Sequence, residues 1–253
     1  MLIDSHCHLD AKWFKNDIPQ VIENAKQNGI EAIITSSISP NVQKVKNIIN
    51  RYSHYVFWAL GLHPPGVNSQ SVKATVRLIE KHKAEIVAIG EVGLDYYWVK
   101  EEKRRKEQQE AFKGFIDLAK KLDKPLVVHA RDAQNDTIKI LEEEDAEIVL
   151  MHCFSGTKLE AERIIKNNWL ISVPTSVVKR EVHRKMAKTV PLSQMLLETD
   201  APYLAPGRGR NEPANIKISA KKIAEIKAVS FEKVAEITTA NARKFYRLDE
   251  RIQ

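Results

Sequence analysis

The stretch Leu2–Asp10, LIDSHCHLD, starts apolar and turns polar, as a short buried strand does when it emerges into a site. Residues two apart in a strand point to the same face, so His6 and His8 aim together and Cys7 faces away. Two imidazoles on one face are a way for a strand to offer nitrogens to a metal. The ordinary alternative is a pair of surface histidines, and the rest of the chain has to decide between them.

Working outward, apolar, β-branched runs recur at Leu2–His8, Ala32–Ser37, Val56–Leu62, Ile86–Gly93, Leu126–His129, Ile148–His152, Leu170–Val173 and Met195–Glu198. Amphipathic helical stretches separate them: VIENAKQNG with Gly29 as a C-cap, VQKVKNIINRY, VKATVRLIEKHK, EEKRRKEQQEAFKGFIDLAKKL, DTIKILEEE, KLEAERIIKNN and EVHRKMAK. Two further helices, ISAKKIAEIKAVS and FEKVAEITTANARKFYRL, close the chain. Strands alternating with helices imply a parallel sheet. Eight units of about 30 residues each match a (β/α)8 TIM barrel, read as a single domain over residues 1–253. An open doubly wound sheet is the competing architecture. Against it, no glycine-rich phosphate loop follows the first strand, and the chain has only 9 glycines. The charged run KEEKRRKEQQE reads as a solvated helix start.

With 43% apolar residues in 253, the chain can bury a sizeable core. It has no run of about 18 uncharged apolar residues, so no membrane span is expected, and its start lacks the pattern of a signal peptide. Two cysteines, Cys7 and Cys153, exclude a disulfide scaffold and point to a cytoplasmic location. The net charge of +7 permits an anionic partner.

A barrel enzyme builds its site at the C-terminal ends of its strands. Strand one gives His6 and His8 there, strand three His63 in GLHPP, and strand four Glu91 in GEVGLDYY. Strand five gives His129 in VVHARDA, strand six His152 in LMHCFSG, and strand eight Asp200 in LLETDAPYLAP. Of the chain's 8 histidines, only His54, His82 and His183 fall elsewhere, in helical or turn-like segments. One such histidine would be read as a core residue, but five at equivalent places beside two carboxylates read as a metal site around one pocket. Imidazole with carboxylate suits zinc, manganese, iron or nickel and tolerates magnesium. Alternation turns Cys7 and Cys153 away, so thiolate ligation is not expected. Four histidines with Glu91 and Asp200 exceed what one tetrahedral ion needs. Two divalent ions fit, with one carboxylate bridging, as in two-metal phosphoryl displacement.

At these residues the chain resembles the TatD family of metal-dependent deoxyribonucleases, within the amidohydrolase-like barrel superfamily. The resemblance rests on DSHCHLD, GLHPP, GEVGLDYYW, VVHARDA, MHCFSG, ETDAPYLAP and RNEPANI, in order from residue 4 to residue 216. It implies that His6, His8 and Asp200 hold one ion, that Glu91 bridges, and that His129 and His152 hold the second. It implies that His63 lies near the scissile phosphate, that Asp200 accepts a proton from the attacking water, and that Arg210, Asn211 and Glu212 shape the substrate mouth. The sequence departs from the family pattern at Pro65, in the short link GRGRNEP, and in SVPTSVV on strand seven.

The resemblance implies a DNase in nucleic-acid turnover or DNA repair, acting as a 3'-5' exonuclease on single-stranded DNA and using Mg, Mn or Zn. No protein partner is expected. Arg208 and Arg210 are candidates for holding the backbone, and Tyr96, Tyr97, Trp98 and Phe154 for stacking an unpaired base or, alternatively, for packing under loops. The alternative function is a small-molecule amidohydrolase, lactonase or phosphotriesterase on the same barrel. Many such enzymes bridge their metals with a carboxylated lysine on strand four, and the segment Ile86–Tyr97 has no lysine.

Overall fold

All eight apolar runs form strands in the computed structural model, which describes residues 1–37, 42–249 and 251–252. They are β1 (Leu2–Cys7), β2 (Ile30–Ser36), β3 (Val56–Leu60), β4 (Ile86–Asp95), β5 (Leu126–Arg131), β6 (Val149–Met151), β7 (Leu170–Pro174) and β8 (Met195–Glu198). The helices are α1 (Ile18–Gln27), α2 (Gln43–Arg51), α3 (Ser69–Lys81), α4 (Glu102–Leu122), α5 (Gln134–Glu143), α6 (Lys158–Lys166), α7 (Glu181–Thr189), α8 (Ile216–Lys227) and α9 (Phe231–Tyr246). The expected domain end at residue 253 lies outside the described residues.

The strands pair in parallel in the order β1 to β8. A doubly wound sheet would reverse its order midway, and this one does not. The last seam, between β8 and β1, is closed largely by loop and side-chain bonds. Asp200 N–H donates to the His6 carbonyl at 2.9 Å and His8 N–H to the Ala201 carbonyl at 2.7 Å. The buried Asp4 carboxylate accepts from the Thr199 amide and hydroxyl at 2.8 and 2.6 Å. The closing bonds therefore run through the residues that carry the metal-site candidates.

Two apolar cores hold the barrel. The larger lies between strands and helices and includes Cys7, Ile33, Trp58, Phe112, Phe115 and Met186. The smaller fills the barrel's lower interior with Ile3, Ile34, Phe57, Val127, Leu150 and Leu196, and Phe245 and Tyr246 of α9 join it. Helix α9 thus floors the barrel, and the Tyr246 hydroxyl donates to the Ser5 carbonyl at 2.8 Å. Burying one such aromatic contributes roughly 1.5–3 kcal/mol. With the floor plugged, the cavity opens at the C-terminal end of the strands.

Strand β4 runs past its predicted end at Gly93 to Asp95. Gly93 has φ +137°, and a Cβ there would lie 2.1 Å from the His129 carbonyl oxygen. Glycine therefore lets β4 and β5 stay paired through His129 and up to Asp95. Gly61 serves the neighbouring seam, because a Cβ on it would meet the Glu91 carbonyl at 2.6 Å.

Candidate metal centre

The seven polar residues named from the strand ends converge. His6 Nε2 and His8 Nε2 are 3.3 Å apart, and Asp200 Oδ1 is 3.8 Å from the first and 3.3 Å from the second. On the other side, His129 Nδ1 and His152 Nε2 are 3.3 Å apart, with Glu91 Oε2 at 3.2 and 2.8 Å from them. The other oxygen, Glu91 Oε1, faces His8 Nε2 at 3.7 Å. Glu91 thus turns one oxygen to each histidine pair. His63, on the loop after β3, sets its ring edge-on to His129 with centroids 4.8 Å apart.

These donors fit divalent ions. Two imidazole nitrogens about 2.0–2.1 Å from one tetrahedral ion lie roughly 3.3 Å from each other, the separation seen in both pairs. The far side of each ring is also occupied. His8 Nδ1 donates to the Ser36 carbonyl at 3.0 Å, His6 Nδ1 meets the Ser36 hydroxyl at 3.2 Å, and His129 Nε2 meets Asp95 at 3.0 Å. His152 Nδ1 lies 3.7 Å from Glu198 Oε2. The hydrogen bonds behind His8 and His129 orient those rings and leave a lone pair on the inward nitrogen, as outer partners of metal-ligating histidines do.

The charges are balanced only as a group. Burial opposes charging His8, yet its hydrogen bond to Asp200 and the charges of Glu91 and Asp200 raise its pKa to about 9. His129 and His152 rise for similar reasons against the same burial. Burial and the neighbouring His152 and His8 hold His6 well below its ordinary value. Burial would raise Glu91, but His152, His63 and His129 hold it well below the carboxylate range. A bound ion needs neutral imidazoles, so metal uptake at pH 7 should release protons, and affinity should rise with pH up to about 9. Calorimetry in buffers of different ionisation enthalpy reads this. A buffer-independent heat at pH 7 would contradict it. Stability of the metal-free protein should run the other way. Raised histidine pKa values stabilise it fully below the unfolded value near 6.5, and that contribution is lost as pH climbs towards 9.

The cavity above these groups has a volume of about 570 Å³ and is lined also by Trp98, Arg131, Cys153, Ser155, Arg180, His183, Tyr203 and Leu204. Two expectations are corrected here. Cys153 does not turn away, because β6 ends at Met151, strand alternation stops with it, and Cys153 takes φ +47°. Its Sγ lies 3.9 Å from His183 Nε2. His183 is not remote, because the first turn of α7 tips it into the cavity wall, where Ser176 Oγ holds Nδ1 at 2.8 Å.

The segment expected to shape the mouth is a brace. Arg210 pairs with Asp17 at 2.7 Å and Glu212 at 2.6 Å and stacks on Phe14. Asn211 is fully buried and donates to the Thr175 hydroxyl and the Thr199 carbonyl at 2.8 and 2.7 Å. None of Arg210, Asn211 and Glu212 lines the cavity; their own carboxylates and backbone carbonyls satisfy them. Among the aromatics, Phe154 is buried, and so is Tyr96, whose hydroxyl binds Asp136 and Gln109. Trp98, 63% exposed, stands at the cavity.

Asp95 and Glu198, both fully buried, were missed in the sequence. For Asp95 the signal was available, because it shares a strand face with Glu91 by the two-residue period; Glu198 is the last residue of β8. Asp95→Asn should lower metal affinity about 10–100-fold by freeing the His129 ring. Metal titration of the purified variant checks this, and unchanged affinity would show that His129 needs no such support.

The family model for TatD related DNase matches residues 3–247. The uncharacterized metal-dependent hydrolase YabD of Bacillus subtilis is 37% identical, covering 98% of this chain and 100% of that protein. Human deoxyribonuclease TATDN3 is 37% identical, covering 97% and 94%. The crystal structure of YJJV, a TatD homologue from Escherichia coli K12, superposes with a TM-score of 0.87 at 25% identity, covering 97% and 98%. Matched over nearly its whole length and carrying convergent histidines and carboxylates at the strand ends, the chain belongs to the TatD-related DNase family of metal-dependent hydrolases acting on ester bonds.

Proposed function

We propose that the chain hydrolyses phosphodiester bonds of single-stranded DNA, removing nucleotides from the 3' end, with two divalent ions. The observation that carries this is Glu91, whose two oxygens face separate histidine pairs. In this reading His6, His8 and Asp200 hold one ion, His129 and His152 the other, and Glu91 spans both. When bound, such a pair lowers the pKa of water and stabilises charge on the leaving oxygen.

The chain's own residues do the rest. Asp200 is the most exposed carboxylate of the cluster, with its side chain 16% accessible, and takes the proton of the attacking water. Its backbone is held in the left-handed region, φ +55°, by the bond from its amide to His6, which fixes the carboxylate against His8. Burial lowers the pKa of His63, so at pH 7 it is a neutral group that hydrogen-bonds a phosphate oxygen. Trp98 and Tyr203 offer aromatic faces at the cavity, and unpaired bases stack on such faces. A rigid duplex about 20 Å across enters the mouth of a barrel less readily than a free end. Among the described residues no lysine lines the cavity, which leaves a carboxylated-lysine amidohydrolase without its bridge.

A 3'- or 5'-labelled oligonucleotide, single-stranded and annealed, incubated with manganese or magnesium, tests the proposal. Expected are loss of single-stranded substrate in single-nucleotide steps from the 3' end and a largely intact duplex interior. Rapid turnover of a lactone or phosphotriester with an intact oligonucleotide would transfer the chain to the small-molecule hydrolases.

A further inference from the structure

Two arginines line the cavity without a carboxylate partner among the described residues, Arg131 at the end of β5 and Arg180 just before α7. Elsewhere Arg163, Arg210, Arg243 and Arg247 are each ion-paired. The acidic groups of the cavity lining, Glu91 and Asp200, belong to the floor. The cavity therefore has a ligand-holding floor beneath two uncompensated guanidinium groups. Neutral esters or lactones offer such groups no charge to pair with, whereas a strand presents further phosphates on the 5' side of the scissile one even at its 3' end.

Arg131 is preorganised. Its guanidinium carbon sits over the Tyr97 ring, 3.9 Å from the centroid, and Tyr97 is itself set edge-on to Trp98 with centroids 4.9 Å apart. A stacked guanidinium keeps its N–H edge free for an anion. Arg180 stands with Ser155 and His183 on the cavity wall. If Ser176 donates to His183 Nδ1, Nε2 carries the proton and is a second donor beside Arg180.

We propose that Arg131 and Arg180 hold the phosphates on the 5' side of the scissile one and so select a polyanionic strand over small neutral esters. This rests on the DNase reading above and goes further by naming the residues that supply it, in place of Arg208 and Arg210. The test compares wild type, Arg131→Ala, Arg180→Ala and the charge-keeping Arg180→Lys on a single-stranded oligonucleotide. A second substrate carries neutral methylphosphonate linkages at the two positions 5' of a cleavable 3'-terminal phosphate. Expected for each alanine variant are a KM for the oligonucleotide raised about tenfold, kcat changed much less, and full metal content. The slope of log(1/KM) against log salt should fall by about 0.7 per arginine lost. On the neutral-linkage substrate the alanine variants should lose no more than wild type already does, and lysine should recover most of the loss. Equal KM and salt slope for all variants, or equal extra losses on both substrates, would overturn the assignment. A wild type that leaves the oligonucleotide whole would instead overturn the DNase reading itself.

Discussion

Glu91→Ala is expected to lose metal from both halves of the centre and activity by roughly 10⁴-fold or more, the scale of a lost activated nucleophile. The reason is geometric. Glu91 Oε2 contacts His129 and His152 at 3.2 and 2.8 Å, and Oε1 is 3.7 Å from His8. Among the described residues no other carboxylate of the cluster reaches both pairs, since Asp200 stands against His6 and His8 and Asp95 lies behind His129. Removing Glu91 also takes away a charge that helps raise the pKa of His8, His129 and His152, so the stabilisation those raised values give the metal-free protein should shrink. Elemental analysis of the purified variant decides the matter. Two ions per chain, retained after dialysis, would show that Glu91 is not a ligand.

Asp200→Asn is the second large effect. Asparagine keeps the shape and the backbone position held by the bond to His6 but cannot take a proton. Activity should fall about 10²–10⁴-fold, the range for a lost general base. Metal bound by His6 and His8 should weaken, while metal bound by His129, His152 and Glu91 should stay. The two variants thus differ in kind, because one empties the centre and the other leaves it partly filled and nearly inactive. An Asp200→Asn protein with wild-type turnover would move the proton acceptor elsewhere. Burial sets His63 at a lowered pKa, which makes its neutral imidazole the next group to examine.

How much of this was written in the chain can be judged at particular residues. Strand periodicity placed all eight strands within a few residues, because a strand buried on both faces must be continuously apolar and its ends must turn polar. The same alternation put His6 and His8 on one side and Cys7 on the other, and Cys7 does pack in the outer core, with its thiol donating to the Ile34 carbonyl at 3.6 Å. Position at strand ends gathered the seven polar residues, since a barrel converts equivalent places in sequence into one ring in space.

Where a strand stopped, the sequence lost its ruler. Cys153 and His183 entered the cavity wall because the chain beyond β6 and at the start of α7 follows loop and helix geometry, which a two-residue period does not describe. Arg210 reads as a free cation in RNEP, and only the fold brings Asp17 from before α1 to neutralise it. Arg131 and Arg180 read as two among many basic residues, and only the fold leaves them unpaired at the cavity. Local spacing determined which side chains are presented together, because backbone periodicity is local. Tertiary structure alone decided which charges are cancelled and which remain for a substrate, because ion pairing depends on approaches between segments far apart in the chain.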